Sequence, residues 1–359
     1  MKTCPRQKNS SGIALIMVMI AVAVFSALAA ALAFSMKVET RLARTADDEQ
    51  QLLWLGRSGV EYARWILSQH PVSEPYDSLN QIWAGGPGGS GETNSALSGI
   101  SMDNYQVGDG TISVKIIDLE RKMNVNTANS SELQQVLTVM GVDANDISVV
   151  ADSILDWRDT DDAPHVAGAE SDFYQGLNPP YYAKNAPVDN LAELLFVKGV
   201  TPEMYWGGSV TNHMPGTFQK PRLGFGTAPG ETPDYPFGLV DVLTPFSSGQ
   251  INVNTADLNV LQTIPGLDAT AAESIIKYRS GPDGVDATED DTPFRNVGQL
   301  AAAGLNAQAV QQLGRYCTVN STTFEVHVTA KAGDTTREYT AILYRKSGTD
   351  IQVVSFWWK

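Results

Sequence analysis

The pattern of apolar and polar positions divides the chain into three kinds of stretch. Residues 13–36 carry no charge and are almost wholly apolar. As a helix they would extend about 36 Å, enough to cross a bilayer with some tilt. Beyond them Leu52, Leu55, Gly56, Gly59, Val60, Ala63, Ile66 and Leu67 recur at three- and four-residue steps, the period of a single helix face. This spacing predicts one helix from about Ile13 to Leu67, half in lipid and half out, barred from continuing by Pro71. On that face the small residues Gly56, Gly59 and Ala63 are expected to let helices of partner subunits approach closely. Residues 68–110 are rich in Gly, Ser and Asn and predict a surface loop. Alternation over 111–116, 324–330 and 337–344 predicts strands, with Gly333-Asp334 as a turn, and 351–358 reads as a final strand.

Between those strands the sequence repeats itself. Met123-Asn124-Val125-Asn126-Thr127-Ala128 returns as Ile251-Asn252-Val253-Asn254-Thr255-Ala256, and Met140-Gly141-Val142-Asp143 returns as Pro265-Gly266-Leu267-Asp268. Residues 151–158 return as 272–279, and each copy then runs through an acidic loop to a Leu-rich helix and a glycine. Each copy reads as short strand, helix, glycine turn, helix: a helix-hairpin-helix-like unit. Asn126 or Thr127, and Asn254 or Thr255, are the expected caps of the first helices. Gly141 and Gly266 supply the left-handed turns.

The formal charge is −15, and three cations, Lys2, Arg6 and Lys8, sit ahead of the apolar run. A surface that acidic repels nucleic-acid phosphate, and at each hairpin turn the expected second glycine is replaced by Asp143 or Asp268. The reading is therefore of no nucleic-acid partner. Catalysis finds no support either: His70, His165, His213 and His327 are scattered, with no zinc spacing and no nucleophile elbow, so the chain is read as a non-enzyme. Cys4 lies before the apolar run, which leaves Cys317 without a partner once that segment is removed.

Two acidic loops carry the candidate chemistry. Asp152, Asp156, Asp159, Asp161, Asp162, Glu170 and Asp172 fall close together, offset by Arg158 and His165. Such crowding requires solvation, ion pairing or a bound cation, and calcium takes six to eight oxygens from loops of this kind. Counting from Asp159 reproduces the one-three-twelve carboxylate spacing of an EF-hand, but Pro164 stands where the EF-hand glycine belongs, so the loop is not one. A first calcium site is expected from Asp156, Asp159, Asp161, Asp162, Glu170 and Asp172, the alternative being a solvated loop paired to Arg158. A second, less constrained set is Asp283, Asp286, Glu289, Asp290 and Asp291.

The basic leader, Gly12, the apolar start at Ile13 and the long helix resemble the type IV pilin and pseudopilin signature. That resemblance implies cleavage after Gly12 by a prepilin peptidase and methylation of Ile13. Members usually carry Glu at the fifth mature position; here it is Met17. With the paired NVNTA units, the 156–164 loop, Gly168-Ala169-Glu170, Phe173-Tyr174 and Pro179-Pro180-Tyr181, the chain resembles the K-type minor pseudopilins of type II secretion, the general secretion pathway protein K family. The resemblance implies an α+β fold: a pilin-like long N-terminal helix on an antiparallel sheet, with a large inserted helical domain containing the hairpin repeats. It also implies calcium binding, association with I- and J-type minor pseudopilins and other pseudopilus and inner-membrane secretion components, and a single-pass inner-membrane location with the bulk in the periplasm.

The expected divisions are a leader over 1–12, a membrane span over 13–36, a periplasmic helix over 37–67, a loop and core strands over 68–122, a helical domain with the first repeat and its acidic loop over 123–215, an irregular connection over 216–250, the second repeat over 251–316 and core strands over 317–359. Two other readings stay open on the residues alone. One is a membrane-tethered DNA-binding helix-hairpin-helix protein of a DNA-uptake or type IV pilus system. The other is a secreted hydrolase released after Ala33.

Overall fold

The computed structural model describes residues 11–69, 74–88, 96–97, 99–207 and 235–358, with backbone alone at residues 11, 12, 44 and 45. Most of the leader, His70, Pro71, His213 and residues 216–234 of the expected connection lie outside the described residues. Helix α1 runs unbroken over Ser11–Ser68. Its first half, from Ile13 through Phe34, stands exposed along its whole length, while Leu52, Leu55, Val60, Ala63, Ile66 and Leu67 are buried. The switch coincides with the change from an all-round apolar surface, suited to lipid, to a single apolar face, suited to a sheet.

That face covers a five-stranded antiparallel sheet of order β1-β2-β7-β8-β9, formed by β1 (Tyr105–Val107), β2 (Gly110–Asp118), β7 (Thr323–Ala332), β8 (Thr335–Arg345) and β9 (Ile351–Trp358). Burial alternates along β2 and β7, with Ile112, Val114, Ile116, Phe324, Val326, Val328 and Ala330 facing α1. The small residues of α1 turn out to serve this packing. A β-carbon on Gly56 would lie 2.6 Å from the Tyr339 ring and one on Gly59 2.3 Å from Val328, and Ala63 is wholly buried. The expectation that Gly56, Gly59 and Ala63 receive helices of partner subunits is corrected: the chain's own sheet already fills that groove.

The helical domain is inserted between β2 and β7 and has a separate core. In the first repeat, β3 (Met123–Asn124) leads through α2 (Ser130–Met140), α3 (Ala144–Arg158), α4 (Ser171–Gln175), α5 (Pro202–Trp206) and α6 (Leu239–Val242) to β4 (Leu243–Thr244). In the second, β5 (Ile251–Asn252) leads through α7 (Leu258–Gln262), α8 (Ala269–Arg279) and α9 (Ala307–Leu313) to β6 (Cys317–Thr318). The first strand of each repeat pairs in parallel with its last, β3 with β4 and β5 with β6, so each unit closes on itself. Cys317-Thr318 thus belongs to the second repeat, and the strands of the pilin-like core resume only at Thr323.

Gly141 and Gly266 take φ of 82° and 90°, the left-handed geometry the hairpin turn requires. The helix caps differ from expectation. Asn129 caps α2 in a capping box with Glu132, and Asp257 caps α7. Asn126 and Asn254 do something else. The Asn126 amide donates to the Val188 and Pro245 carbonyls and accepts from Val188 N–H, while Asn254 exchanges the same pair of bonds with Phe294. Each asparagine therefore clamps the later part of its own repeat to the start.

Candidate metal centre

Helix α3 brings Asp152 and Asp156 onto one face, four residues apart, and ends with Asp159 at its C-cap. The chain then turns back over that end through residues 160–170. Asp156 is fully buried; one oxygen accepts from His165 N–H at 3.0 Å and contacts the His165 ring Nδ1, and the other has no hydrogen-bond partner. Gly168 makes this fit possible, since a β-carbon there would lie 1.9 Å from the Asp156 carboxylate. Glu170, only 4% exposed, has no partner on either oxygen. One oxygen of Asp159 is likewise buried and unbonded.

These atoms converge. Ligand atoms of Asp159, Asp161 and Glu170 lie within 4.8 Å of one another, and so do those of Asp156, Asp159 and His165, so Asp159 is common to both groups. Burial, followed by repulsion from Asp156 and Asp159, raises the Glu170 pKa to about 7. Burial and the neighbouring Asp161 and Asp156 raise that of Asp159. The hydrogen bond to Asp156 raises that of His165. Buried carboxylates lacking donors are unfavourable as they stand, and clustered carboxylate oxygens such as those of Asp159, Asp161 and Glu170 are the ligand type that a hard divalent cation takes. The donor set fits calcium.

Two expected ligands fall outside the groups. Asp162 accepts from the Asn185 amide at 3.1 Å, and Asp172 is exposed on α4. Two other residues were missed. His165 was noticed only as a nearby charge, and Asn185, which donates to the Asp161 carbonyl while its own side-chain oxygen is buried without a partner, lies 24 residues away with no spacing signal. Arg158 does not neutralise the loop as the alternative reading supposed. Its guanidinium turns back to the Val125 and Ala128 carbonyls.

The second acidic loop differs. Arg279 repeats the reach of Arg158, to Val253 O at 2.8 Å and Ala256 O at 2.6 Å, but also grips both oxygens of Asp286. Asp283 accepts from Val285 N–H, Asp290 from Asp283 N–H and Thr288, and Asp291 from Ala287 N–H and Thr288. Glu289 is exposed. The loop has built its own turn from its carboxylates, so the expectation of a second calcium site at Asp283, Asp286, Glu289, Asp290 and Asp291 is not supported.

A long helix, apolar all round in its first half and packed in its second half on a small antiparallel sheet that carries an inserted helical domain, is a pilin-like architecture consistent with a membrane anchor. The model of the type II secretion system protein K family matches residues 113–206, the first repeat with its acidic loop, and that of the helix-hairpin-helix motif matches residues 247–318, the second. A putative type II secretion system protein K of Escherichia coli K12 is 25% identical over 54% of this chain and 59% of its own length. The type II secretion system protein K of Pseudomonas aeruginosa is 23% identical over 80% of this chain and 77% of its own. The chain thus spans about three fifths of the E. coli relative. The crystal structure of the GspK-GspI-GspJ complex from enterotoxigenic E. coli contains a chain superposing with a TM-score of 0.62 at 18% identity, over 88% of this chain and 99% of that one. The chain is thus similar to type II secretion system protein K, through the family model over its first repeat and through relatives 23–25% identical to it.

Proposed function

We propose that the chain is a minor pseudopilin of a type II secretion system, held in the inner membrane by residues 13–36 and joined to I- and J-type minor pseudopilins at the start of a periplasmic filament. The observation that carries this reading is the insertion of a helical domain, its first repeat matched by the protein K family model, into a pilin-like helix-and-sheet core. A domain of that bulk inserted into the sheet suits the apex, the one place where no further subunit has to stack on it. Met17 supports the same place: a glutamate there would need a neighbouring subunit's terminal amine to offset its cost in lipid, and methionine needs none. Cleavage after Gly12 with methylation of Ile13 belongs to this reading. So does calcium at Asp156, Asp159, Asp161 and Glu170, which would hold the loop after α3 in its folded shape. The protein has no catalytic role in this reading.

The test is co-purification of the full chain from membranes with tagged I- and J-type partners, together with the mass of its N-terminal peptide. A stable complex and a peptide beginning at N-methylated Ile13 are expected. A peptide beginning at Met1 or after Ala33, with no complex, would overturn the reading.

A further inference from the structure

Three carboxylates are buried where the sheet meets the helical domain, with one guanidinium among them. Asp77 and Glu120 are 0% exposed and Asp118 is 1% exposed. Arg345, at the end of β8, donates to Asp77 and to the Ser321 carbonyl, so its charge is committed there. The Glu120 carboxylate accepts from Ser248 N–H, the Thr322 hydroxyl and Thr323 N–H. Asp118 is hydrogen-bonded to neutral groups only. Its Oδ1 accepts from Glu120 N–H at 2.8 Å, and its Oδ2 meets the Ser321 hydroxyl at 2.6 Å, the Thr255 hydroxyl and the Asn252 amide.

These partners come from both sides of the joint. Asp118 closes β2 and Ser321 precedes β7, on the sheet side. Asn252 and Thr255 open the second repeat, and the Asn252 amide also reaches the Asp77 carbonyl at 3.1 Å. The charged groups facing Asp118 are Glu120 on its own segment, Asp77 from the loop ahead of the sheet, and Arg345 from β8 beyond Asp77. None from the second repeat faces it. Either hydroxyl can accept as well as donate, so a protonated Asp118 is fully accommodated. An ionised one would be a third buried anion in contact with no cation.

We propose that Asp118 is a proton-dependent latch: with its proton it ties the helical domain to the sheet, and loss of that proton to solvent loosens the joint. Burial, and then the Glu120 and Asp77 charges, push Asp118 up to about 8. A raised folded-state pKa means stability present in acid and lost progressively as pH rises toward that value.

The experiment uses the full chain in detergent with saturating calcium, so that the metal-centre carboxylates do not titrate with it. Infrared difference spectra of wild type and Asp118→Asn, with carboxyl-labelled aspartate, should show one protonated-acid carbonyl band at neutral pH that the variant lacks. The wild-type melting temperature should fall between about pH 5 and about pH 9, with amide exchange at 250–256 rising in step, and Asp118→Asn should flatten both. Should that variant fail to fold, Ser321→Ala keeps the acid but removes a hydroxyl that favours its ionised form, and the transition should move to higher pH. Absence of the acid band, or an unchanged pH slope in Asp118→Asn, or no displacement in Ser321→Ala, would overturn the proposal.

Discussion

Residues 123–244 and 251–318 are two versions of one plan. Both close with a two-residue parallel strand pair, both turn at a left-handed glycine, both use an asparagine to clamp a later segment, and both send an arginine from the second hairpin helix back to the opening carbonyls. They part at the loop that follows. Asp286 comes back to Arg279, so the second loop carries its own cation, and its remaining aspartates cap its turns. The first loop is longer and folds over the end of α3 without returning a carboxylate to Arg158. Its acids meet each other instead, and Glu170, Asp156 and Asp159 are left with unbonded buried oxygens. A shared scaffold thus meets the same electrostatic problem in two ways: internal ion pairing in the second loop, and in the first a cluster of buried carboxylates that the proposed function assigns to a cation.

The comparison breaks most readily at Arg279. Arg279→Ala strands Asp286 and frees two carbonyls, and is expected to cost about 3–5 kcal/mol in urea unfolding, against a smaller loss for Arg158→Ala, which strands no acid. Equal losses would mean that the two arginines do one job and the ion pair adds nothing. Calcium sharpens the contrast next. Saturating calcium should stabilise the chain by about 3–4 kcal/mol at 100 to 1,000 times its dissociation constant, as read by calorimetry with and without chelator. Glu170→Gln should abolish most of that gain and Asp290→Asn none of it.

The pH response without calcium follows. Glu170 is raised from 4.5 to about 7, so the calcium-free chain should lose stability as pH climbs through that interval, because the unfolded state releases the proton first. Glu170→Gln should remove that share of the slope, and so should calcium; a slope indifferent to both would separate the loop from the effect. The smallest difference is in the caps: Asn129→Ala and Asp257→Ala should each cost about 1 kcal/mol, the former more because it dismantles a capping box.

Much of this was legible before folding. The lipid-length run, the helix face from Leu52 to Leu67, the alternating strands and the paired NVNTA units each follow a local period, and a local period is what a sequence displays. The acidic character of the first loop was visible too, but not its membership. Asp162 and Asp172 look the same as Asp159 and Asp161 in sequence, and only the path of the chain decides which oxygens meet. Arg158 and Arg279 occupy matching places, yet whether an aspartate returns to the guanidinium depends on loop length and curvature. Gly56 and Gly59 signalled a close approach, and the approach is real, but what comes close is Tyr339 and Val328, almost three hundred residues on.

The sequence by itself determined the long helix, the individual strands and the two-fold repetition between them, because each shows as a local pattern of side chains, whereas β2 meets β7 only across the whole insertion. Tertiary structure alone decided which carboxylates lost their water, which arginine found an acid, and where Asp118 met Asn252 and Ser321. Desolvation is a property of the assembled surroundings, and residues 118, 252 and 321 share none until the sheet and the inserted domain have closed on one another.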